Sequence, residues 1–177
     1  RNTLAGVVRA HGAAKDQNIQ LIVGARLLLQ DGFDLLCFPK DRSAFGRLSR
    51  LLTLGKRRAK KGDCILFTAD LLHDPIFAGG RGQVLIAVPP VVLDAAFEEQ
   101  LLKLYNKFAK NLYLSVNYGY LFDDKTRLNA ISELAERHFI ALVATNDVHA
   151  HVPERRPLQD ALSCIREHCT VAAAGFL

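Results

Sequence analysis

Long apolar runs are missing from this chain: none approaches the roughly 20 residues needed to span a bilayer. The opening Arg1-Asn-Thr-Leu-Ala-Gly6 also lacks the basic, apolar and small-residue succession of a secretory signal. A cytoplasmic protein with no membrane partner is the expectation. Cys-x-x-Cys spacing is absent, and three of the four cysteines (Cys37, Cys64, Cys164 and Cys169) fall in apolar-periodic segments. Free core thiols are expected, rather than disulfides or a thiolate metal site. There is no internal repeat, low-complexity tract or Pro/Gly/Ser linker, so a single domain over residues 1–177 is expected. Gly79-Gly-Arg-Gly82 has no Lys-Ser or Lys-Thr after it and is not a P-loop, and no serine sits in a nucleophile-elbow context.

What is present is half apolar by residue type, with a mean hydropathy near zero, at a length sufficient for one packed core. The formal net charge of +5 is concentrated: Lys56-Arg-Arg-Ala-Lys-Lys61 puts five cations into six residues. Two readings of that run stand side by side. Cations at a helix end complement the helix dipole and are solvated; the same cluster also suits a polyanion such as a nucleic-acid backbone.

Periodicity alternates along the chain. Leu4 to Lys15 has helical spacing, Ile19 to Val23 reads as a short strand, and Ala25 to Leu29 and Leu35 to Phe38 read as strands joined at Asp31-Gly32 in a hairpin. Asp41 is a predicted N-cap for a helix with Phe45, Leu48, Leu51 and Leu52 inward and Arg42, Arg47 and Arg50 toward solvent. Thr68 opens a short helical turn. There follow a strand (84–88), a helix (94–108), a strand (112–116), a helix (123–137), a strand (140–144) and a last helix (158–167). Such alternation favours a parallel sheet or barrel with flanking helices. The chain enters a helix with no strand before it and ends without a stop signal, so a piece of something longer is expected.

The most informative segment is Ile140-Ala-Leu-Val-Ala-Thr-Asn-Asp-Val-His-Ala-His151. It delivers Asp147, His149 and His151 just past the carboxyl end of a strand, where α/β proteins build their chemistry. Asp-x-His puts an oxygen and a nitrogen donor on one side of an extended backbone, a set that suits a hard or borderline metal ion. The other histidines, His11, His73, His138 and His168, lie in or beside helical stretches without paired ligands and read as ordinary side chains. Arg155, Arg156 and Arg166 are open to two readings, a solvated helix face or a contact with nucleic acid or neighbouring domains.

Three stretches taken together carry a resemblance: Asn2-Thr-Leu-Ala-Gly-Val-Val-Arg-Ala-His11, Leu21-Ile-Val-Gly-Ala-Arg26, and Val143-Ala-Thr-Asn-Asp-Val-His149 leading into Arg155-Arg-Pro-Leu-Gln-Asp-Ala-Leu162. They resemble the PHP (polymerase and histidinol phosphatase) domain at the amino end of bacterial C-family DNA polymerases, nearer the error-prone branch than the replicative one. Phe45-Gly-Arg-Leu-Ser-Arg-Leu-Leu-Thr53 also fits. The likeness covers most of the chain and is looser between residues 65 and 125.

That resemblance implies an α/β fold, a distorted (β/α)7 barrel of parallel strands, here lacking its first strands. It implies zinc or manganese as the cofactor of an intact domain, with ligands from strand ends around the mouth. The opening His-x-His and Thr-Asp motifs of the family would precede Arg1. Asp147 and His149 match the last ligand motif. Arg1 stands where metal-binding members carry a His and Arg26 where they carry a Glu, which implies a vestigial site, with Arg26 pairing with Asp147 in place of the ion. The parent enzyme would be a DNA-directed DNA polymerase (a nucleotidyltransferase) of DNA replication and repair after DNA damage. Its catalytic aspartates would lie beyond Leu177, so no catalytic residue is expected in this segment. The implied partners are DNA and the downstream polymerase domains, with Lys56, Arg57, Arg58, Lys60 and Lys61 as the nucleic-acid or interdomain contact. The alternatives are a stand-alone metal-dependent PHP phosphoesterase and a non-catalytic interaction module.

Overall fold

The computed structural model describes residues 1–75, 77, 81–119, 123–146, 148 and 150–175. Contacts divide the chain into two compact units, Arg1–Ala144 and Thr145–Leu177. Among its described residues the first holds five strands, β1 (Ala25–Leu28), β2 (Asp34–Pro39), β3 (Gln83–Val88), β4 (Leu112–Val116) and β5 (Leu142–Ala144). Its helices are α1 (Val7–Asp16), α2 (Arg42–Arg58), α3 (Thr68–His73), α4 (Ala95–Phe108) and α5 (Asp124–Arg137).

The strands form one open sheet in chain order, β1-β2-β3-β4-β5. The first two pairings are antiparallel and the last two parallel. A wholly parallel sheet is therefore not what forms: the β1–β2 hairpin at Asp31-Gly32 turns the amino-terminal half antiparallel, and crossovers through α4 and α5 keep the rest parallel. The hairpin is closed by the Leu29 amide donating to the Phe33 carbonyl at 2.9 Å. Its turn is then locked to two helices, because the Asp31 carboxylate accepts from the Thr68 amide at 2.9 Å and the Asp31 carbonyl accepts from Gln100 at 3.1 Å.

Side-chain alternation sets the faces. Leu27, Leu35, Cys37, Leu85, Ala87, Leu112 and Leu114 are buried in the main core with Leu48, Leu51 and Leu52 of α2, Phe97, Leu101, Leu104 and Phe108 of α4, and Ile131, Leu134 and Ala135 of α5. Phe33 stacks on Phe97 with ring centroids 5.2 Å apart. On the opposite face Arg26, Leu28, Asp34, Leu36, Phe38, Val84, Val88 and Tyr113 are half-buried. β3, in the middle, buries Gln83, Leu85, Ile86 and Ala87, residues of both faces, as a central strand should.

Capping follows the sequence closely. The Asp41 side chain accepts from the Ala44 amide at 2.7 Å and Asp94 from the Phe97 amide at 2.8 Å. At α3 the N-cap is Phe67 rather than Thr68, and Asp70 reaches back to the Phe67 amide at 2.9 Å. Three further expectations are corrected. Residues 19–23 form no strand; Ile19 and Ile22 stand in solvent, and no described strand pairs with them. Phe45 is 39% exposed, because Ala44 takes the inward position one residue earlier. Arg47 is half-buried rather than solvated, its guanidinium donating to the Arg81 carbonyl.

The second unit contains α6 (Arg156–Arg166) between two single 3-10 turns, Pro153–Arg155 and Val171–Ala173. Arg156 pairs with Asp160 one turn on at 3.2 Å, and Arg166 with Glu167 at 2.8 Å. The Cys169 amide donates to the Cys164 carbonyl at 3.0 Å, closing the helix end. All four cysteines are free.

Candidate functional site

Strand direction decides where a site can form in the first unit. β1, β3, β4 and β5 all run the same way, so Leu28, Val88, Val116 and Ala144 end at one edge of the sheet. Asp34 joins that edge as the first residue of β2, in register with both Leu28 and Val88. Arg26 lies one pleat back on the same face, diagonal to Asp34 across the hairpin. The two form a fork: Arg26 Nε donates to both Asp34 carboxylate oxygens at 3.1 and 2.9 Å, and Nη2 donates at 2.5 Å. Each side chain is 22% exposed, so solvent screens the pair only in part.

Asn2 anchors the stretch beside β1. Its amide donates to the Arg26 carbonyl at 2.8 Å, its side-chain nitrogen to the Leu28 carbonyl at 3.0 Å, and its side-chain oxygen accepts from the Leu28 amide at 2.8 Å. A φ of 52° is the left-handed conformation that Asn tolerates better than most residues. Residues 1–3 are thus held against β1 by side-chain and backbone bonds together.

That anchoring carries Arg1 to the carboxyl end of α2, where the basic run begins. Past Arg58 the chain reverses: the Asp63 amide donates to the Lys60 carbonyl at 3.0 Å, and Gly62 has a φ of 105° that a residue with a Cβ would strain to adopt. The Ile65 amide then donates to the Gly55 carbonyl at 3.0 Å, laying residues 64–66 along α2. A cavity of about 580 Å³ opens between these parts, lined by Arg1, Asn2, Thr3, Lys56, Lys60, Lys61, Gly62, Asp63 and Cys64. Among the described residues, four cations and one carboxylate face it. Burial pushes the Cys64 thiol pKa up and the Lys56 ammonium pulls it back, so the positive charge is felt at the wall.

The basic run is split by this arrangement. Arg58 leaves it to pair with Asp70 at 2.7 Å, and that bond holds its guanidinium above the usual range. Arg57 is exposed and does not line the cavity. Lys56, Lys60 and Lys61 do, together with Arg1, which was singled out for a different reason. The fourth-cation role of Arg1 and the Arg26 partner Asp34 both escape a reading by local motif. The hairpin register, with Asp31-Gly32 at the turn, would have placed Asp34 diagonal to Arg26.

Asp147 and His149, the candidate metal ligands, lie outside the described residues. At the two positions where the resemblance puts cations, the donor set is wrong for zinc or manganese: a guanidinium has no lone pair to offer. Arg1 and Arg26 therefore do not fit a metal centre, and Arg26 is engaged by Asp34. Among the described residues no three His, Cys, Asp or Glu side chains come together in a way that could hold an ion. His138, read as an ordinary side chain, has a definite partner: its Nε2 lies 2.6 Å from a Glu98 oxygen, tying the end of α5 to α4. That bond, with the charge of Arg137, holds the Glu98 carboxyl below its usual range against the opposing effect of desolvation.

No family model matches the chain. Similarity to individual proteins is extensive. An error-prone DNA polymerase of Caulobacter vibrioides is 47% identical over 177 residues, covering 99% of this chain and 16% of the relative. Error-prone DNA polymerase 2 of Agrobacterium fabrum is 43% identical over 176 residues with the same coverage. An error-prone DNA polymerase of Rhodopseudomonas palustris is 42% identical over 181 residues, again covering 99% of the chain and 16% of the relative. No described helix is long and apolar enough to cross a membrane. The chain spans about a sixth of the length of these relatives, and over that span it is similar to error-prone DNA polymerases.

Proposed function

We propose that the protein containing this segment is an error-prone DNA-directed DNA polymerase of DNA repair and translesion synthesis. In this reading the segment is the PHP-domain portion, a scaffold for the polymerase domains that follow, and nucleotidyl transfer takes place elsewhere. The observation that carries the reading is the match over 99% of the chain at 47% identity to a protein of that name. The half-buried apolar face of the open sheet supports the finer expectation of a distorted barrel, since further strands from the intact domain would cover Leu28, Leu36, Val84 and Val88.

The metal site of the domain is degenerate in this proposal. Support comes from chemistry rather than from coordination: Arg26 brings a fixed positive charge to the carboxyl-end edge of the sheet, where it opposes a divalent cation, and Asp34 holds it there. Asp147 and His149 are then remnants of a ligand motif. DNA and the downstream domains are the partners, and the compartment is the cytoplasm.

The test is primer extension by the intact protein on an undamaged template and on one carrying an abasic site. Extension on both supports the reading; no incorporation with either template and either magnesium or manganese refutes it.

A further inference from the structure

The cavity at the end of α2 gathers four cations. Arg1, Lys56, Lys60 and Lys61 line it, and none of them takes part in an ion pair among the described residues. Water and salt screen these exposed cations in part, yet among the described residues only Asp63 brings a negative charge to the wall, so the cavity is net positive.

Their scaffold is built rather than loose. Asn2 is 8% exposed and fixes Arg1 beside β1 through three hydrogen bonds. Gly55 lets residues 64–66 press against α2: a Cβ there would lie 2.6 Å from the Cys64 sulfur and 2.8 Å from Leu66. Gly62 makes the reversal that turns Lys60 and Lys61 back toward Lys56. The cavity, about 580 Å³, falls within the roughly 300–1,000 Å³ of ordinary ligand sites. Its lining carries four cations and, among the described residues, no aromatic ring, so it suits phosphate groups better than a nucleobase.

We propose that this cavity is a phosphate-contact site for a single DNA strand, with Arg1, Lys56, Lys60 and Lys61 neutralising successive backbone phosphates. The choice of DNA as the phosphate source rests on the polymerase reading; the phosphate chemistry does not. Lysines serve here as mobile point charges, which tolerate any sequence along the strand.

The experiment measures binding of a fluorescent oligothymidylate to the intact protein as a function of salt. Each phosphate contact on a single strand contributes about 0.7 to the slope of log K against log salt. The triple variant K56Q/K60Q/K61Q should therefore reduce the slope by about 2, and R1Q alone by about 0.7. A matched triple outside the cavity, K107Q/K110Q/K125Q, removes the same net charge and should leave the slope within error of the original. An unchanged slope in the cavity triple, or an equal drop in both triples, overturns the proposal. Inorganic pyrophosphate, titrated calorimetrically, tests the other source: binding heat that vanishes in the cavity triple while the DNA slope stays put overturns the assignment to DNA. Failure of the polymerase reading is distinguishable. A protein that extends no primer yet shows the slope change leaves the cavity a DNA contact, whereas normal extension with an unchanged slope refutes the cavity alone.

Discussion

Replacing Gly55 by alanine sets two effects of known size against each other. Gly55 lies inside α2, where alanine is the better helix former by about 0.8–1.0 kcal/mol. On propensity alone the variant is stabilised. The structure opposes this, because the added Cβ would meet the Cys64 sulfur at 2.6 Å and two Leu66 carbons at 2.8 Å. Neither neighbour can retreat cheaply: Leu66 is fully buried, its carbonyl accepts from the Gln30 amide at 2.8 Å, and the Ile65 amide is bonded to Gly55 itself at 3.0 Å. Overpacking of this kind costs about 1–3 kcal/mol, and a tethered backbone puts it toward the upper end, so the net change is a destabilisation of about 1–2 kcal/mol. Gly46, in the same helix, supplies the control: nothing lies within 4 Å of a Cβ built there. Gly46→Ala should stabilise by about the propensity difference. Urea unfolding of the chain reads both as shifts of the midpoint at constant slope. A rise in midpoint for Gly55→Ala comparable to that of Gly46→Ala would refute the close packing of residues 64–66 on α2.

Three further outcomes are expected. Asn2→Ala removes both side-chain bonds to Leu28 from a buried position and leaves a left-handed φ that alanine disfavours, so urea unfolding should show a loss of about 2–4 kcal/mol; a loss under about 0.5 would mean residues 1–3 are not held against β1. Because the folded state depresses the Glu98 pKa, its contribution is present above the ordinary value of 4.5 and disappears as the pH falls through the lower folded value. The stability difference between the original chain and Glu98→Gln should therefore shrink on acidification, and a difference that grows toward low pH contradicts the His138 pairing. Cys37, fully buried and with its thiol pKa pushed up to about 12, should resist iodoacetamide in the folded chain and react only after unfolding, whereas native-state labelling at Cys37 would contradict its place in the core.

Local chemistry was legible where one residue decides the outcome. Asp41 caps the helix it precedes, Asp31-Gly32 makes the hairpin, and the inward faces of α4 and α5 follow the 3.6-residue period. Strand existence was less legible, because Ile19 to Val23 is as apolar as a true strand and fails only for want of a paired neighbour. Strand direction was legible at the hairpin and in the strand-helix run from β3 to β5, and was missed between β2 and β3, which pair antiparallel despite the helices between them. The site shows the same division. Arg26 was conspicuous by its type, but its bond to Asp34 is a property of register. The basic run was conspicuous by its charge, but which of its members face a cavity depends on the reversal at Gly62 and on Asn2 holding Arg1 nearby. Asp147 and His149, the segment that identified the family most directly from sequence, lie outside the described residues.

Elemental analysis of the intact protein tests the central claim most directly, namely that Arg26 has taken the place of a metal ligand and the domain serves as scaffold. Purified without chelator and dialysed against zinc and manganese in turn, the protein should retain well under one equivalent of either ion, and Arg26→Glu should raise that figure. One or more equivalents retained by the original protein, and lost on Asp147→Ala, would contradict the claim.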